Sequence, residues 1–336
     1  MTALGAAVVV VVLVALIFAW TNGFHDASNS VATSLATGAL TPQVALGLAA
    51  LLNVVGGLFG VSIAQTVRRS LLDVPMDQLG VSLITAALAA AIAWNVVTWR
   101  LGLPSSSSQA LFGGLAGASL TAGIPVSWGA IGHDVLLPMV VSPVLGFGAA
   151  WVLTAVLLRV VGDAAHAVAM RRFRLAQTVS AAAMALGHGL QDAQKTTAVM
   201  LVALVASGEA QGEDGVPLWA RVAVAVALGA GTAFGGWRII RSLGRRIAPI
   251  DPLTGFAAEA VAAGALYTAA GAFAAPVSST HVLVASIMGG GATRGLRSIR
   301  WRHVRWIVLA FVVTPLATGL LAAALCHLTP QLTPPL

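Results

Sequence analysis

Two aspartates stand in matched settings, NGFHDASNS at 22–30 and HGLQDAQKT at 188–196, which share a G-x-x-D-A core inside long apolar windows. Apart from Glu259, Asp26 and Asp192 are the only acids well within such windows. An ionised carboxylate inside a bilayer costs at least about 2.5 to 3.5 kcal/mol on insertion scales, so each needs a cation, a donor network or a proton. A carboxylate beside hydroxyls, amide oxygens and freed backbone carbonyls offers the all-oxygen set that hard cations prefer. Asp26 with Asn22, Ser28 and Asn29, and Asp192 with Gln191 and Thr196, fit that set, with sodium or a proton in place of a metal ion. Lys195, the only lysine, follows Asp192 by three residues and can pair with it or contact an anion. The plainer reading of the aspartates is a polar contact that holds helices together. Glu259 has no counterpart in the other half.

A second matched pair lies downstream, PSSSSQ at 104–109 and PVSSTH at 276–281, separated from the aspartates by 78 and 84 residues. Each tract opens a short Gly-rich apolar stretch, 104–122 and 276–292, which reads as a re-entrant hairpin. A helix N-terminus presents unpaired N–H groups and favours an anion. Two such ends, Ser106, Ser107 and Ser108 facing Ser278, Ser279 and Thr280, would form a cradle for a tetrahedral oxyanion; the alternative is ordinary N-capping. His25, His188 and His281 lie in or beside these motifs and could exchange a proton, or serve only as hydrogen-bonded packing residues. His133, His166, His303 and His327 fall in loops or near helix ends, where solvated or interfacial positions are expected.

The elements that carry these motifs must be membrane helices. Of 336 residues, 58% are hydrophobic and 9% charged, with mean hydropathy +0.92, outside the range of soluble domains. Helical stretches are expected near 4–38, 43–66, 79–99, 134–158, 175–208, 218–240, 254–272 and 305–328, each able to approach the roughly 20 residues of one crossing. The stretches 4–38 and 175–208 exceed one crossing and carry polar, Gly-containing middles, so broken or tilted helices are expected there. The first segment lacks the basic start and cleavage site of a signal peptide and reads as a retained helix. Cys326 alone supports neither a disulfide nor a cysteine metal site.

The net charge of +7 comes from arginines in short loops, which the positive-inside rule explains better than nucleic-acid binding. Arg159 to Arg174, Arg238 to Arg246 and Arg294 to Arg305 mark cytoplasmic loops, and Glu209, Glu213 and Asp214 an outer one. Tracing from these anchors places both termini outside and makes the halves inverted, although Arg68 and Arg69 then fall outside. The fold class read from the sequence is an all-α polytopic membrane protein. It comprises one domain, 1–336, with repeat 1 at about 1–158, repeat 2 at about 175–328 and a linker at about 159–174. Such repeats are a plan of secondary transporters, with substrate bound where the halves meet.

GFHDASNSVATSLATG, HGLQDAQKTTAVMLVAL and PVSSTHVLVASIMGGGATRG resemble the paired signatures of the PiT inorganic phosphate transporter family, across both halves. The resemblance implies a phosphate and cation site at Asp26, Asn29, Ser30, Thr33, Asp192, Gln194, Lys195 and Thr196, completed by Ser106 to Ser108 and Ser278 to Thr280. Asn22, His25, His188, Gln191 and His281 join Asp26 and Asp192 as residues for cation or proton coupling. The family motif Gly-Ala-Asn-Asp is replaced by GFHD at 23–26 and GLQD at 189–192, and Gln109 stands where the family has His. The first motif resembles the bacterial low-affinity branch, which implies protons and metal-phosphate complexes; other members use sodium. The implied protein is a symporter of inorganic phosphate with H+ or Na+, a homodimer in the cell membrane that needs no organic cofactor. A sulfate permease is the alternative, while a channel or an intramembrane enzyme has less support. No nucleotide-binding loop is present, so ATP is not expected to drive it.

Overall fold

Apolar runs punctuated by Pro, Gly and capping residues set the element boundaries in the computed structural model, which describes residues 3–59, 64, 75, 77–162, 166–206 and 216–328. The main helices are α1 (Ala3–Ala36), α2 (Pro42–Leu58), α3 (Gln78–Leu101), α4 (Ser107–Thr121), α5 (Leu137–Val161), α6 (His166–Ala206), α7 (Leu218–Phe234), α8 (Trp237–Arg246), α9 (Pro252–Ala272), α10 (Ser279–Ala292) and α11 (Trp301–Leu328). No strand occurs among the described residues. Local chemistry sets the ends. Asp77 caps α3 by accepting from the Gly80 N–H, and Gly102 closes it at φ 67°. Asp251 and Thr254 form a capping box on α9, with Pro252 in its first turn.

The breaks expected within 4–38 and 175–208 are absent. α1 and α6 run unbroken for 34 and 41 residues, about 50 and 60 Å at 1.5 Å per residue. Their motif glycines serve helix crossing instead. A Cβ on Gly23 would lie 2.0 Å from the Leu228 carbonyl oxygen, and one on Gly189 would lie 2.3 Å from that of Asn53. Gly231 and Gly56 answer from the facing helices, against the carbonyls of Trp20 and Leu186. Small residues let backbones approach this closely within a membrane. Asp26 and Asp192 each bond neighbouring side chains, so neither needs an opened backbone ladder for a partner.

A break appears instead inside the window 218–240, where Gly235 and Gly236 turn α7 into α8 by 68°; Gly235 has φ 66°. Most of the expected linker is helical, since residues 166–174 are the first turns of α6. The window 134–158 extends back to Trp128 through a π-helical segment, Ile131–Leu136. The window 43–66 is helical to Leu58; the loop charges Arg68, Arg69, Glu209, Glu213 and Asp214 lie outside the described residues.

Packing contacts exchange between the two parts of the chain. α1 packs on α7 as α6 packs on α2; α1 meets α3 as α6 meets α9; α4 lies against α11 as α10 lies against α5. Among the described residues, five helices are long and apolar enough to cross a bilayer, or six if the bent α7–α8 pair is one span. Exposed large apolar residues concentrate on α5 and α11, such as Val144, Leu145, Leu316 and Leu320, while the buried interior combines alanines and polar residues with large side chains such as Phe18, Leu88 and Met200. α4 and α10, with 15 and 14 residues, span about 20 Å, short of a core of about 30 Å. The arginine-bearing segments come together: Arg300 donates to the Arg245 carbonyl, Ser242 bonds His303 at 2.7 Å, and Arg238 donates to the Arg100 carbonyl. Thr37, just after α1, donates to Gln177 near the start of α6 at 2.6 Å, adding Arg171, Arg172 and Arg174 to the same end.

Candidate functional site

The middle turns of α1 and α6 place Asp26 and Asp192 side by side, each 1% exposed. Asp192 is held from three helices. Lys195 Nζ donates to its Oδ1 at 2.8 Å; Asn22 Nδ2 and Ser107 Oγ donate to its Oδ2 at 3.0 and 3.3 Å. Asp26 Oδ1 lies 2.7 Å from His25 Nδ1, whereas its Oδ2 has no hydrogen-bond partner. His188, fully buried, stands between the carboxylates. Its Nε2 is 3.2 Å from Asp192 Oδ2 and 3.8 Å from Asp26 Oδ2, and its Nδ1 is 3.1 Å from Asn53 Oδ1. Because an amide oxygen only accepts, Nδ1 carries a proton and Nε2 is the atom turned to the carboxylates.

Ligand atoms of Asp26, His188 and Asp192 lie within 4.8 Å of one another, a group able to hold a metal ion. Two carboxylates face one lysine ammonium here, which leaves a negative charge for a cation or an extra proton to balance. The donor set differs from the all-oxygen one expected, because an imidazole nitrogen enters it. Sequence spacing did pair the aspartates, but only the packing puts His188 between them.

The short helices reach crosswise to the opposite long helix. α4 is capped by Ser106 and sends Ser107 to Asp192 on α6. α10 is capped by Ser278 and presents Ser279 Oγ and Thr280 Oγ1 to Asn29 Nδ2 on α1, at 3.2 and 2.9 Å. Around this meeting point Asn22 Oδ1, Asn29 Oδ1, Ser30 Oγ, Ser108 Oγ and His281 Nε2 are buried without a partner. Buried polar atoms are paired as a rule; this group of exceptions makes the meeting point the candidate ligand site.

The residues before the aspartates hold the entry to each short helix. His25 Nε2 lies 3.0 Å from Thr98 Oγ1 and 3.4 Å from Ser105 Oγ. Gln191 spans the backbone of Leu266, Ala275 and Val277, and Lys195 also donates to the Val277 carbonyl at 3.0 Å. Other expected site residues have further partners. Gln194 bonds the backbone of Phe59 and Ala64, Thr196 bonds its own helix at the Asp192 carbonyl, and the His281 ring lies 3.8 Å from that of Phe311. Thr33 donates to Glu259, which also accepts from Ser180 at 2.6 Å, so this acid is shared by α1, α6 and α9. Asn53, Thr98 and Ser180 enter the network without a sequence motif to mark them; a buried amide in the apolar window 43–66 is the signal for Asn53.

Comparison with known proteins agrees with this architecture. The model of the phosphate transporter family matches residues 22–322. A protein of Bacillus subtilis named "Probable low-affinity inorganic phosphate transporter" is 35% identical over 94% of this chain and 95% of its own length. Proteins of the same name are 39% identical in Rhizobium meliloti, over 96% of each chain, and 40% identical in Mycobacterium tuberculosis strain H37Rv, over 94% of this chain and 75% of the other. A solved structure titled "The sodium-dependent phosphate transporter" shares the fold, with TM-score 0.82 and 19% identity over 95% of this chain and 98% of that one. With its apolar helices and its buried, paired carboxylates, the chain is a multi-pass membrane protein, a transporter and not an enzyme, and belongs to the phosphate transporter family.

Proposed function

We propose that this protein is a secondary active transporter of inorganic phosphate, coupled to a cation and working by alternating access between two inverted repeats. The observation that carries this reading is the buried group Asp26, His188 and Asp192, met by the N-terminal ends of α4 and α10. The cation belongs at the carboxylates, with Asn22 and His25 shaping their setting. Phosphate belongs at the short helix ends, among Ser107, Ser108, Ser279, Thr280, Asn29 and Ser30, where N–H groups and hydroxyls favour an oxyanion. Loading both together lowers the charge that crosses the membrane. The exchanged packing of α1 with α7 and α6 with α2 supports the repeats, and the length of α4 and α10 supports their re-entrant placement. The arginine-rich end belongs in the cytoplasm of a cell-membrane protein, with both termini outside, and the chain pairs as a homodimer.

His188 favours a proton, or a divalent metal travelling with phosphate, over sodium, because sodium prefers oxygen ligands and an imidazole suits a proton or a transition metal. The test is uptake of radiolabelled phosphate by the purified protein in liposomes, under a sodium gradient in one set and a proton gradient in another, with sulfate as competitor. Proton-driven uptake that sulfate does not suppress is expected. Sodium-driven uptake would replace the coupling ion, and full competition by sulfate would move the assignment to a general oxyanion permease.

A further inference from the structure

The bend at Gly235 and Gly236 sets α8 along the arginine-rich end, 68° away from α7. Its sequence, WRIIRSLGRR, divides cleanly. Ile239, Ile240 and Leu243 are buried, while the arginines face out. Gly244 is pressed on α1 so closely that a Cβ there would lie 2.5 Å from the Ala32 carbonyl oxygen. Beside this contact, between α8 and the end of α1, opens a cavity of about 490 Å³. Its lining includes the half-buried Leu35 and Leu40, the buried Ile240, and the exposed Trp237, Arg241 and Arg245.

Arg238 is already committed, to the Arg100 carbonyl at 2.7 Å and to the face of Trp99 at 5.2 Å. The side chains of Arg241 and Arg245 have neither a hydrogen bond nor an acidic partner among the described residues, where Arg294 with Asp251 is the one arginine–carboxylate pair. A topology signal needs only charge at this face. It needs no cleft with an apolar lining, two unopposed guanidinium groups and an exposed tryptophan. Those features together suit a ligand with an anionic head and an apolar tail, the chemistry of basic pockets that take lipid head groups.

We propose that this cleft binds an anionic phospholipid, its phosphodiester on Arg241 and Arg245 and the first acyl carbons over Leu35, Leu40 and Ile240. The lipid then ties α8 to the last turns of α1, the helix that carries Asp26. Free phosphate shares the head chemistry but leaves the apolar lining uncovered.

The test uses the full chain purified in neutral detergent, with native mass spectrometry reading retention of phosphatidylglycerol against phosphatidylcholine of the same acyl chains, and inorganic phosphate as competitor. Phosphatidylglycerol is retained preferentially and phosphate does not displace it. Arg241→Gln and Arg245→Gln each weaken retention about fivefold, from the contribution of one arginine near an anionic surface. Arg297→Gln, the same charge change outside the cleft, leaves retention near wild type. Equal retention of the two lipids, undiminished retention in both cleft variants, or an equal loss in Arg297→Gln overturns the proposal. Displacement of the lipid by inorganic phosphate overturns it too, and assigns the arginines to free phosphate.

Discussion

At the residue scale the two aspartates are not equivalent. Asp192 neutralises Lys195, both buried, whereas Asp26 faces His25 and His188 and keeps one oxygen free. Removing one member of a buried ion pair strands the other, at a cost of about 3–5 kcal/mol. Asp192→Asn is therefore expected to abolish uptake and also to lower the melting temperature in detergent. Asp26→Asn is expected to abolish uptake while melting much closer to wild type, because no lysine is stranded. Wild-type uptake in either variant would remove the carboxylates from the site. The double variant Asp192→Asn with Lys195→Met should regain most of the lost stability without regaining uptake, since replacing a buried pair by apolar volume is often neutral or stabilising.

At the element scale, the long helices are held by backbone contacts at glycine. For Gly23→Ala, the added Cβ would meet the Leu228 carbonyl at 2.0 Å, and for Gly189→Ala it would meet that of Asn53 at 2.3 Å. Backbone on both sides leaves nothing flexible to yield, so each substitution is expected to cost about 1–3 kcal/mol, the range of overpacking, and to separate α1 from α7 or α6 from α2. Gly264→Ala on α9 is the matched control. Nothing lies within 4 Å of its would-be Cβ, and the change should be neutral or gain up to about 1 kcal/mol from helix propensity. Thermal melting of the three variants in one detergent decides the comparison. A Gly23→Ala protein as stable as Gly264→Ala would contradict the close crossing. The same contacts explain why G-x-x-D-A, which reads as a helix break in the sequence, lies in an unbroken helix. A glycine beside a polar residue signals either an opening or a crossing, and only the neighbour tells which.

At the scale of the whole molecule, the arginine-bearing segments of α6, α8 and α11 meet at one end of the bundle, although they are far apart in sequence. Cysteines placed at Arg172 and at Arg297, in a Cys326→Ser background, are therefore expected to react from the same side. In intact cells a membrane-impermeant maleimide should leave both unlabelled until the membrane is permeabilised. Labelling of one without the other would break the shared face, and labelling of both in intact cells would reverse the orientation proposed for the chain. Cys326 is 2% exposed, so its removal serves mainly to clear background.

What the residues determine by themselves is whatever depends on composition and on spacing along the chain. Apolar windows specify a membrane protein because an unpaired backbone polar group is too costly in lipid to be left outside a helix. The duplicated Asp motifs and hydroxyl tracts single out most residues of the proposed site, because each lies within two to three helical turns or one cap. Tertiary structure decides the pairings between segments: Ser107 with Asp192, Asn29 with Ser279 and Thr280, and Glu259 with Thr33 and Ser180. It also decides that Gln194, two residues from Asp192, turns away to the backbone of Phe59 and Ala64. A helix spreads adjacent residues about 100° apart, so the neighbour each one meets is set by the helices packed on each face. That packing follows from glycine contacts between α1 and α7 and between α6 and α2, which spacing along one helix does not record.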